Sequence, residues 1–402
     1  MSISSKKILF ISGSLGLGHI VRDLAIAKEL RKRIPAVEIH WIAAHPATIL
    51  LAEAGESILP EAEDFANYNV VAEKVAQSGF RLNIIKYAFN ATSLLMKNLK
   101  PLRQAIARQH YDIVIGDEAY ELFVGLMKKK IRIDIPFVMI LDFFGMDPLT
   151  LNPFEKLFAY LLNITLLRSG SFFSRPMNTA LFIGEAQDIA DKPLGFLMPN
   201  RRKLAEKFLQ FVGYVLPFNP ADYVNSSSVK TKLGYGQEPL VVCSIGGTAV
   251  GKELLNLCCK AYPIVRKEIP DVRMLVVCGP RLEKRAMKVP EGVEVKGYVP
   301  CLYKYLAASD LAIVQAGGTT TLELTALKRP FLYFPLEGHF EQQVHVSEQL
   351  ARHKAGIRMS YKETTSVALA EKVISTIGSE VDYLPVPTDG AQKATEIISR
   401  LI

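Results

Sequence analysis

The sequence has no apolar run approaching the ~20 residues needed to cross a bilayer. Its longest, residues 157–167, is interrupted by Asn163 and Thr165. A spanning protein is therefore not expected. The opening MSISSKKILF leads straight into a strand-like run, which reads as no signal peptide. The five cysteines (Cys243, Cys258, Cys259, Cys278 and Cys301) lack metal-type CxxC spacing. Most lie in apolar runs, and they are expected to be reduced, buried thiols of a cytoplasmic protein. No helix-turn-helix, zinc or basic–aromatic signature appears, which ranks nucleic acid last among partners. Between Lys74 and Tyr111 there is no Asp or Glu at all.

What remains is a chain of 402 residues, 49% hydrophobic and 22% charged. That length suits two domains of roughly 150–200 residues each. The formal net charge of +8 points to an anionic partner, either a membrane face or a diphosphate. Strand-like runs at 8–12, 37–42, 112–115 and 137–141 alternate with helical patterns such as 20–33. After a breaker-rich stretch at 217–239 the alternation restarts, with strands at 240–243, 272–278, 293–296, 311–314 and 331–334 and a helix at 253–267. Repeated βαβ units imply parallel sheets covered on both faces. The expected class is α/β, with two Rossmann-like doubly wound domains facing across a cleft. Residues 1–219 form the first domain, 220–238 a linker, 239–385 the second domain and 386–402 a closing helix.

In such sheets ligands bind beyond the carboxyl ends of the strands, where this chain places its glycine-rich turns. The most informative lies after the strand at 311–314. Gly317-Gly318 is followed by Thr319, Thr320 and Thr321, then by Glu323 about one helical turn on. Bare backbone N–H groups at a helix start suit a diphosphate, and the threonines can cap or donate. The carboxylate of Glu323 can hold two ribose hydroxyls. The loop after the strand at 331–334 offers His339, Glu341, Gln342 and Gln343, whose amides can read sugar hydroxyls. Gly246, Gly247 and Thr248 form a second turn, after 240–243. Together these read as the donor side of a nucleotide-sugar site. The N-terminal turn, with Gly16, Gly18 and His19, opens the first helix. A helix N-terminus favours neutral imidazole, so His19 is the first candidate for a general base. Asp117 and Asp142, after strand ends, are second candidates.

These blocks resemble the GT-B glycosyltransferases, and the C-terminal half is most similar to the MurG-like transferases of family 28. The segment 316–323 matches that family's serine–glycine turn and ribose-binding glutamate, and 339–343 its loop of paired glutamines. Gly246-Gly247-Thr248 matches its first donor-domain turn, with Leu255-Asn256 beyond it. Val299 falls where the family holds uracil, and Gly16-Leu17-Gly18-His19 matches its N-terminal turn. Gln315 departs from the family, which has a basic residue there. The N-terminal turn is less glycine-rich than the family's, and most of 37–218 matches nothing in it. The resemblance implies transfer of GlcNAc or another hexose from a UDP-sugar to a hydroxyl, by a single inverting displacement. The sequence has no DxD motif, so neither a metal nor another cofactor is expected.

The acid-free stretch carries Lys74, Arg81, Lys86, Lys97, Lys100, Arg103 and Arg108 around apolar residues near helical spacing. A basic amphipathic helix of this kind can lie on an anionic membrane, and the apolar run at 157–167 adds to it. Arg81, Lys86, Lys97, Lys100 and Arg103 are the expected membrane-facing residues, giving a peripheral protein with a lipid or polyprenyl-linked acceptor. The alternative is a domain helix with a solvated basic face. Two other functions compete. A PseG-like UDP-sugar hydrolase shares the fold and a GxGHxxR turn, which residues 16–22 match. A non-catalytic UDP-sugar-binding scaffold would need the same donor residues without turnover.

Overall fold

The computed structural model describes residues 5–13, 17–67, 70, 71, 74, 76, 77, 81, 82, 84–173, 175, 177–247 and 249–402. Side chains at 76, 77, 81, 82, 84–89, 91, 92, 169, 171 and 286 fall outside that description. The chain divides into two compact units. One comprises Met1–Val71, Ile84–Pro217 and Pro387–Ile402, the other Ala72–Asn83 and Phe218–Val386.

The first unit is built on a parallel sheet of seven strands: β1 (Lys7–Ile11), β2 (Glu38–Ile42), β3 (Ser57–Ile58), β4 (Ile113–Asp117), β5 (Phe137–Leu141), β6 (Asn178–Ile183) and β7 (Leu209–Gly213). Their spatial order is β3-β2-β1-β4-β5-β6-β7. Sequences such as KILFI and FVMIL are apolar on both faces because helices cover both. The principal helices are α1 (Gly18–Arg33), α2 (Ile84–Arg108), α3 (Tyr120–Met127) and α4 (Pro153–Phe173). Strands β6 and β7 were not anticipated. Leu209 follows a helix, Arg201–Phe208, with no intervening Gly or Pro to mark the change.

The second unit has six parallel strands: β8 (Leu240–Ser244), β9 (Arg273–Val277), β10 (Val293–Lys296), β11 (Leu311–Gln315), β12 (Phe331–Phe334) and β13 (Ile357–Arg358), in the order β10-β9-β8-β11-β12-β13. Its helices include α5 (Ser226–Lys232), α6 (Lys252–Glu268), α7 (Leu302–Ala308) and α8 (Gly318–Ala326). The stretch expected as a linker is not bare. Asn225 caps α5 by accepting from Ser228 N at 3.0 Å, and Val229 and Tyr235 are buried. Lys230 bonds Asp310 Oδ2 at 2.5 Å.

The closing helix, α9 (Gly390–Ser399), belongs to the first unit. Ala391, Ala394 and Ile398 join Ile20, Ile26 and Leu30 in one core cluster. Thr395 Oγ1 donates to Ile26 O at 3.4 Å.

In both sheets the strand order reverses beside the first strand of the unit. That reversal opens a crevice at the carboxyl ends of β1 and β4 in one unit, and of β8 and β11 in the other. The residues singled out from sequence cluster at these two places.

Candidate functional site

In the second unit, β8 ends at Ser244 and the chain turns through Gly246, whose φ of +78° favours glycine. Gly247 is buried; Thr248 lies outside the described residues. Gln315, at the end of β11, is 6% exposed. With its amide turned to donate, it bonds Val250 O at 2.9 Å and Ile245 O at 3.3 Å, pinning both ends of this glycine turn. That gives Gln315 a positioning role that its departure from the family pattern did not suggest.

Across the switch point, Gly317 N donates to Gln315 O at 2.7 Å, and α8 begins at Gly318. The N-cap is Gly317, with no side-chain cap. Thr321 is turned into its own helix, donating to Gly317 O at 3.0 Å and Gly318 O at 3.1 Å. The capping expected of the threonines is therefore absent, whereas Thr319 and Thr320 remain half-buried at the helix mouth. Glu323 is buried, and burial alone pushes its carboxyl up to about 8. A buried acid without a charged partner among the described residues is poised for a ligand with hydroxyls to donate.

After β12 the chain enters a π-helical turn, Glu341–Val346, a conformation common at functional sites. His339 precedes it, half-buried. Glu341 Oε1 stands 3.8 Å from where a Cβ on Gly318 would be. The two glutamines differ. Gln343 is committed to its own chain: Nε2 donates to Leu336 O at 3.0 Å and Pro335 O at 3.1 Å, and Oε1 accepts from Arg358 at 2.6 Å. Gln342 accepts from Leu336 N at 2.9 Å through Oε1. The side chain of Val299 is buried in the core, so only its backbone is placed to meet a base edge.

In the first unit, α1 starts at Gly18 and presents His19 and Arg22 one turn apart; Gly16 lies outside the described residues. Gly13 allows a close approach, since a Cβ there would sit 2.9 Å from Asp117 O. Arg22 is buried and organises the cluster. Its Nε and Nη2 clamp Asp117 at 2.7 and 2.5 Å, Nη1 bonds Asp142 at 2.7 Å, and Nη2 lies 2.8 Å from His19 Nδ1. His19 Nδ1 is 3.3 Å from Asp117 Oδ1, and Nε2 is 3.7 Å from Glu118 Oε2. Tyr120 OH donates to Glu118 Oε1 at 3.2 Å. Beneath them Ser12 Oγ donates to the buried Asp23 at 2.5 Å.

Burial raises every carboxyl in this cluster, so their neighbours decide which ionise. Against burial, the Arg22 charge and then His19 hold Asp117 well below the usual range and Asp142 at about 2. Glu118 goes the other way: burial and then the charge of Asp142 push it well above. Asp23 is likewise raised, by burial and then Asp117. His19, Asp117 and Asp142 are thus brought together as the sequence suggested. Arg22, Asp23, Glu118 and Tyr120 were missed as site residues. The signal for Arg22 was its spacing of three from His19 on one helix face.

Comparison with known proteins fits this geometry. Residues 241–400 match the model of the glycosyltransferase family 28 C-terminal domain. That stretch is similar to family 28, and the chain has the GT-B glycosyltransferase fold. An uncharacterized glycosyltransferase of Methanosarcina mazei is 26% identical over 91% of this chain and 89% of its own length. The UDP-N-acetylglucosamine–N-acetylmuramyl-(pentapeptide) pyrophosphoryl-undecaprenol N-acetylglucosamine transferase of Thermosipho africanus is 22% identical over 98% of each chain. Among solved structures, the glycotransferase of kitacinnamycin superposes with a TM-score of 0.61 at 16% identity, over 99% of this chain and 100% of that one. Acinetobacter baumannii MurG gives 0.51 at 15%, over 98% and 99%.

Proposed function

We propose that this protein is a family 28 glycosyltransferase that moves GlcNAc or another hexose from UDP to a hydroxyl on a membrane lipid or polyprenyl-linked acceptor, with inversion and without a metal. The observation that carries the donor half is Glu323, buried one turn into α8 behind the Gly317-Gly318 mouth. A diphosphate at that mouth meets exposed N–H groups and the positive helix end, while the ribose hydroxyls donate to Glu323. The turn at Gly246, braced by Gln315, offers further amides. The acceptor oxygen attacks the anomeric carbon, the bond to phosphate breaks, and UDP leaves with the electron pair. The acceptor proton passes to a base in the cluster around Arg22. Relatives named as UDP-N-acetylglucosamine transferases, aligned over nearly their whole length, favour uridine and GlcNAc.

Calorimetry of the full chain should give saturable UDP binding in EDTA, undiminished relative to buffer with magnesium. No UDP binding in either buffer refutes the donor assignment. The Arg22-centred cluster, which includes His19 and Arg22 of the GxGHxxR pattern, also suits a hydrolase, with water replacing the acceptor. UDP-GlcNAc incubated alone separates the two readings: rapid release of UDP without an added hydroxyl acceptor favours hydrolysis.

Membrane docking rests on α4 more than on α2. In α2, Leu99, Leu102 and Ala105 face the core, and Lys97, Lys100 and Arg103 are exposed, with Arg103 donating to Lys130 O. That is an ordinary domain helix over its described half; the side chains of Arg81 and Lys86 lie outside the described residues. Helix α4 has inverted burial. Asn163 is 3% exposed and bonds Met146 N, Met146 O and Leu194 O, while Phe154, Leu157 and Leu161 are 72%, 56% and 53% exposed. Leu151 and the adjoining Phe196-Leu197 loop extend this apolar face. Among the described residues no helix is long and apolar enough to cross a membrane, so the face suits insertion into an interface. The protein should sediment with anionic liposomes at low salt. Replacing Phe154, Leu157 and Leu161 together by Ser should weaken this at least about tenfold, since each buried side chain is worth roughly 1.5–3 kcal/mol. Unchanged sedimentation of the triple variant rules this face out.

A further inference from the structure

Asp23 follows Arg22 on α1 and is 0% exposed. Ser12 Oγ donates to its Oδ2 at 2.5 Å, and its carboxyl is hydrogen-bonded to the side chain of Asp117. Its other oxygen, Oδ1, is buried and finds no hydrogen to accept among the described residues. Two carboxyl groups bond each other only when one of them carries a hydrogen, because an ionised carboxylate has nothing to donate. Asp117 is the ionised one. Arg22 donates to both of its oxygens, at 2.7 and 2.5 Å, and His19 Nδ1 bonds Oδ1 at 3.3 Å. That leaves the hydrogen to Asp23. Carried on Oδ1, it gives a use to the oxygen that otherwise lacks a partner, while Oδ2 keeps the bond from Ser12. Burial and then the Asp117 charge favour the same neutral form.

We propose that Asp23 keeps its hydrogen and shares it with Asp117, and that it is thereby a positioning residue for His19 as the base. The inference deepens the transferase reading and rests on it. As the acceptor oxygen bonds to the anomeric carbon, its O–H bond breaks and the hydrogen passes to His19 Nε2; the sugar–phosphate bond breaks and UDP carries away the electron pair. Nε2 lies 3.7 Å from Glu118 Oε2, beyond hydrogen-bond distance, so it is open to a hydroxyl. The imidazolium formed there faces the Asp117 carboxylate. Asp23 acts on this pair in two ways. Its hydrogen helps the Arg22 fork hold Asp117, and so the imidazole, in one orientation. As a neutral acid it also draws charge from Asp117 without adding a second negative charge beneath the ring. The other charged and titratable groups facing this pair are Arg22 on α1, Glu118 at the end of β4, Asp142 beyond β5 and Tyr120 on α3.

The hydrogen on Asp23 can be read without turnover. Infrared difference spectra at neutral pH, full-length protein minus Asp23→Asn, should contain the carbonyl stretch of a protonated carboxyl that the variant lacks. A carboxylate band in its place overturns the proposal, whatever the protein's activity. The positioning role is read from UDP release by UDP-GlcNAc with octyl glucoside as the hydroxyl probe, beside UDP calorimetry. Asp23→Ala should lower kcat by about 10- to 100-fold, the worth of one hydrogen bond to a charged group, with UDP affinity unchanged. It should also move the acid limb of kcat/KM to higher pH, because Asp117, short of one donor, holds the imidazolium more strongly. Asp23→Asn, whose amide donates where the acid did and still accepts from Ser12, should restore both the rate and the limb. An ionised Asp23 requires the opposite: either substitution would remove a negative charge and move the limb to lower pH. That result, or a limb unmoved in a folded Asp23→Ala protein, sinks the proposal. Loss of UDP binding by the unaltered chain would instead strike at the transferase reading and leave the infrared result standing.

Discussion

Arg22→Met should be the most destabilising single substitution in the first unit. It strips the only cation bonded to two buried or half-buried carboxylates among the described residues of that cluster. Breaking one side of a buried ion pair typically costs 3–5 kcal/mol, because the remaining charge has nothing to offset its lost hydration. In a two-unit chain the first thermal transition should fall by about 2–4 °C for each kcal/mol lost. The pH dependence carries the signature. Arg22 holds Asp117 and Asp142 below their ordinary 3.8. That stability is present above pH 3.8 and is lost as pH falls through the depressed values. The variant's deficit should therefore be full near neutral pH and shrink below about pH 4, as protonation neutralises both acids. Thermal unfolding scans at pH 7.5 and pH 3.5 read this directly. An equal deficit at both would mean that Arg22 contributes packing rather than charge.

Glu323→Gln should do the reverse: stabilise the fold while damaging donor binding. Burial raises this carboxyl from 4.5 to about 8. The unfolded chain releases the proton near its ordinary value, whereas the folded chain keeps it until much higher pH. The unaltered protein thus loses stability as pH rises through this window, and above it the full penalty applies. The penalty is on the order of a few kcal/mol at about 1.4 kcal/mol per unit. Glutamine has nothing to titrate. The variant should match the unaltered protein at pH 4.5 and melt several degrees higher at pH 8.5, about 2–4 °C per kcal/mol. Its UDP affinity should drop by about a hundredfold, the loss expected when a charged hydrogen bond to ribose becomes a neutral one. A lower melting temperature at pH 8.5 would show that the carboxylate has an internal partner. Undiminished UDP affinity would remove Glu323 from the ribose site.

What the sequence revealed follows from the range of the interactions involved. Strands such as Phe137–Leu141 and Phe331–Phe334 are bounded by turn residues, so local pattern located them. The Gly317-Gly318 mouth and Glu323 lie on one strand–helix turn and were legible for the same reason. The contacts of Arg22 were not, because Asp117 and Asp142 are 95 and 120 positions away and only the strand order joins them. The contacts of Gln343 were hidden for a related reason. As an exposed-looking amide beside a glycine loop it suggests a sugar contact, yet its donors go to Pro335 and Leu336 and its oxygen to Arg358. In α4 the pattern of apolar residues located the helix without showing that the polar Asn163 faces inward. The stretch at 220–238 looked like a tether because Ser and Asn are turn formers, but Asn225 spends that tendency on capping α5.

Because α9 is stitched into the core around Ile20, Ile26 and Leu30, the first unit is interrupted by the second in the order of synthesis. During translation the amino-terminal sheet emerges early yet lacks one of its covering helices until the ribosome has made Gly390–Ser399. A stop codon ahead of Gly390 would thus injure the half of the molecule that was made first.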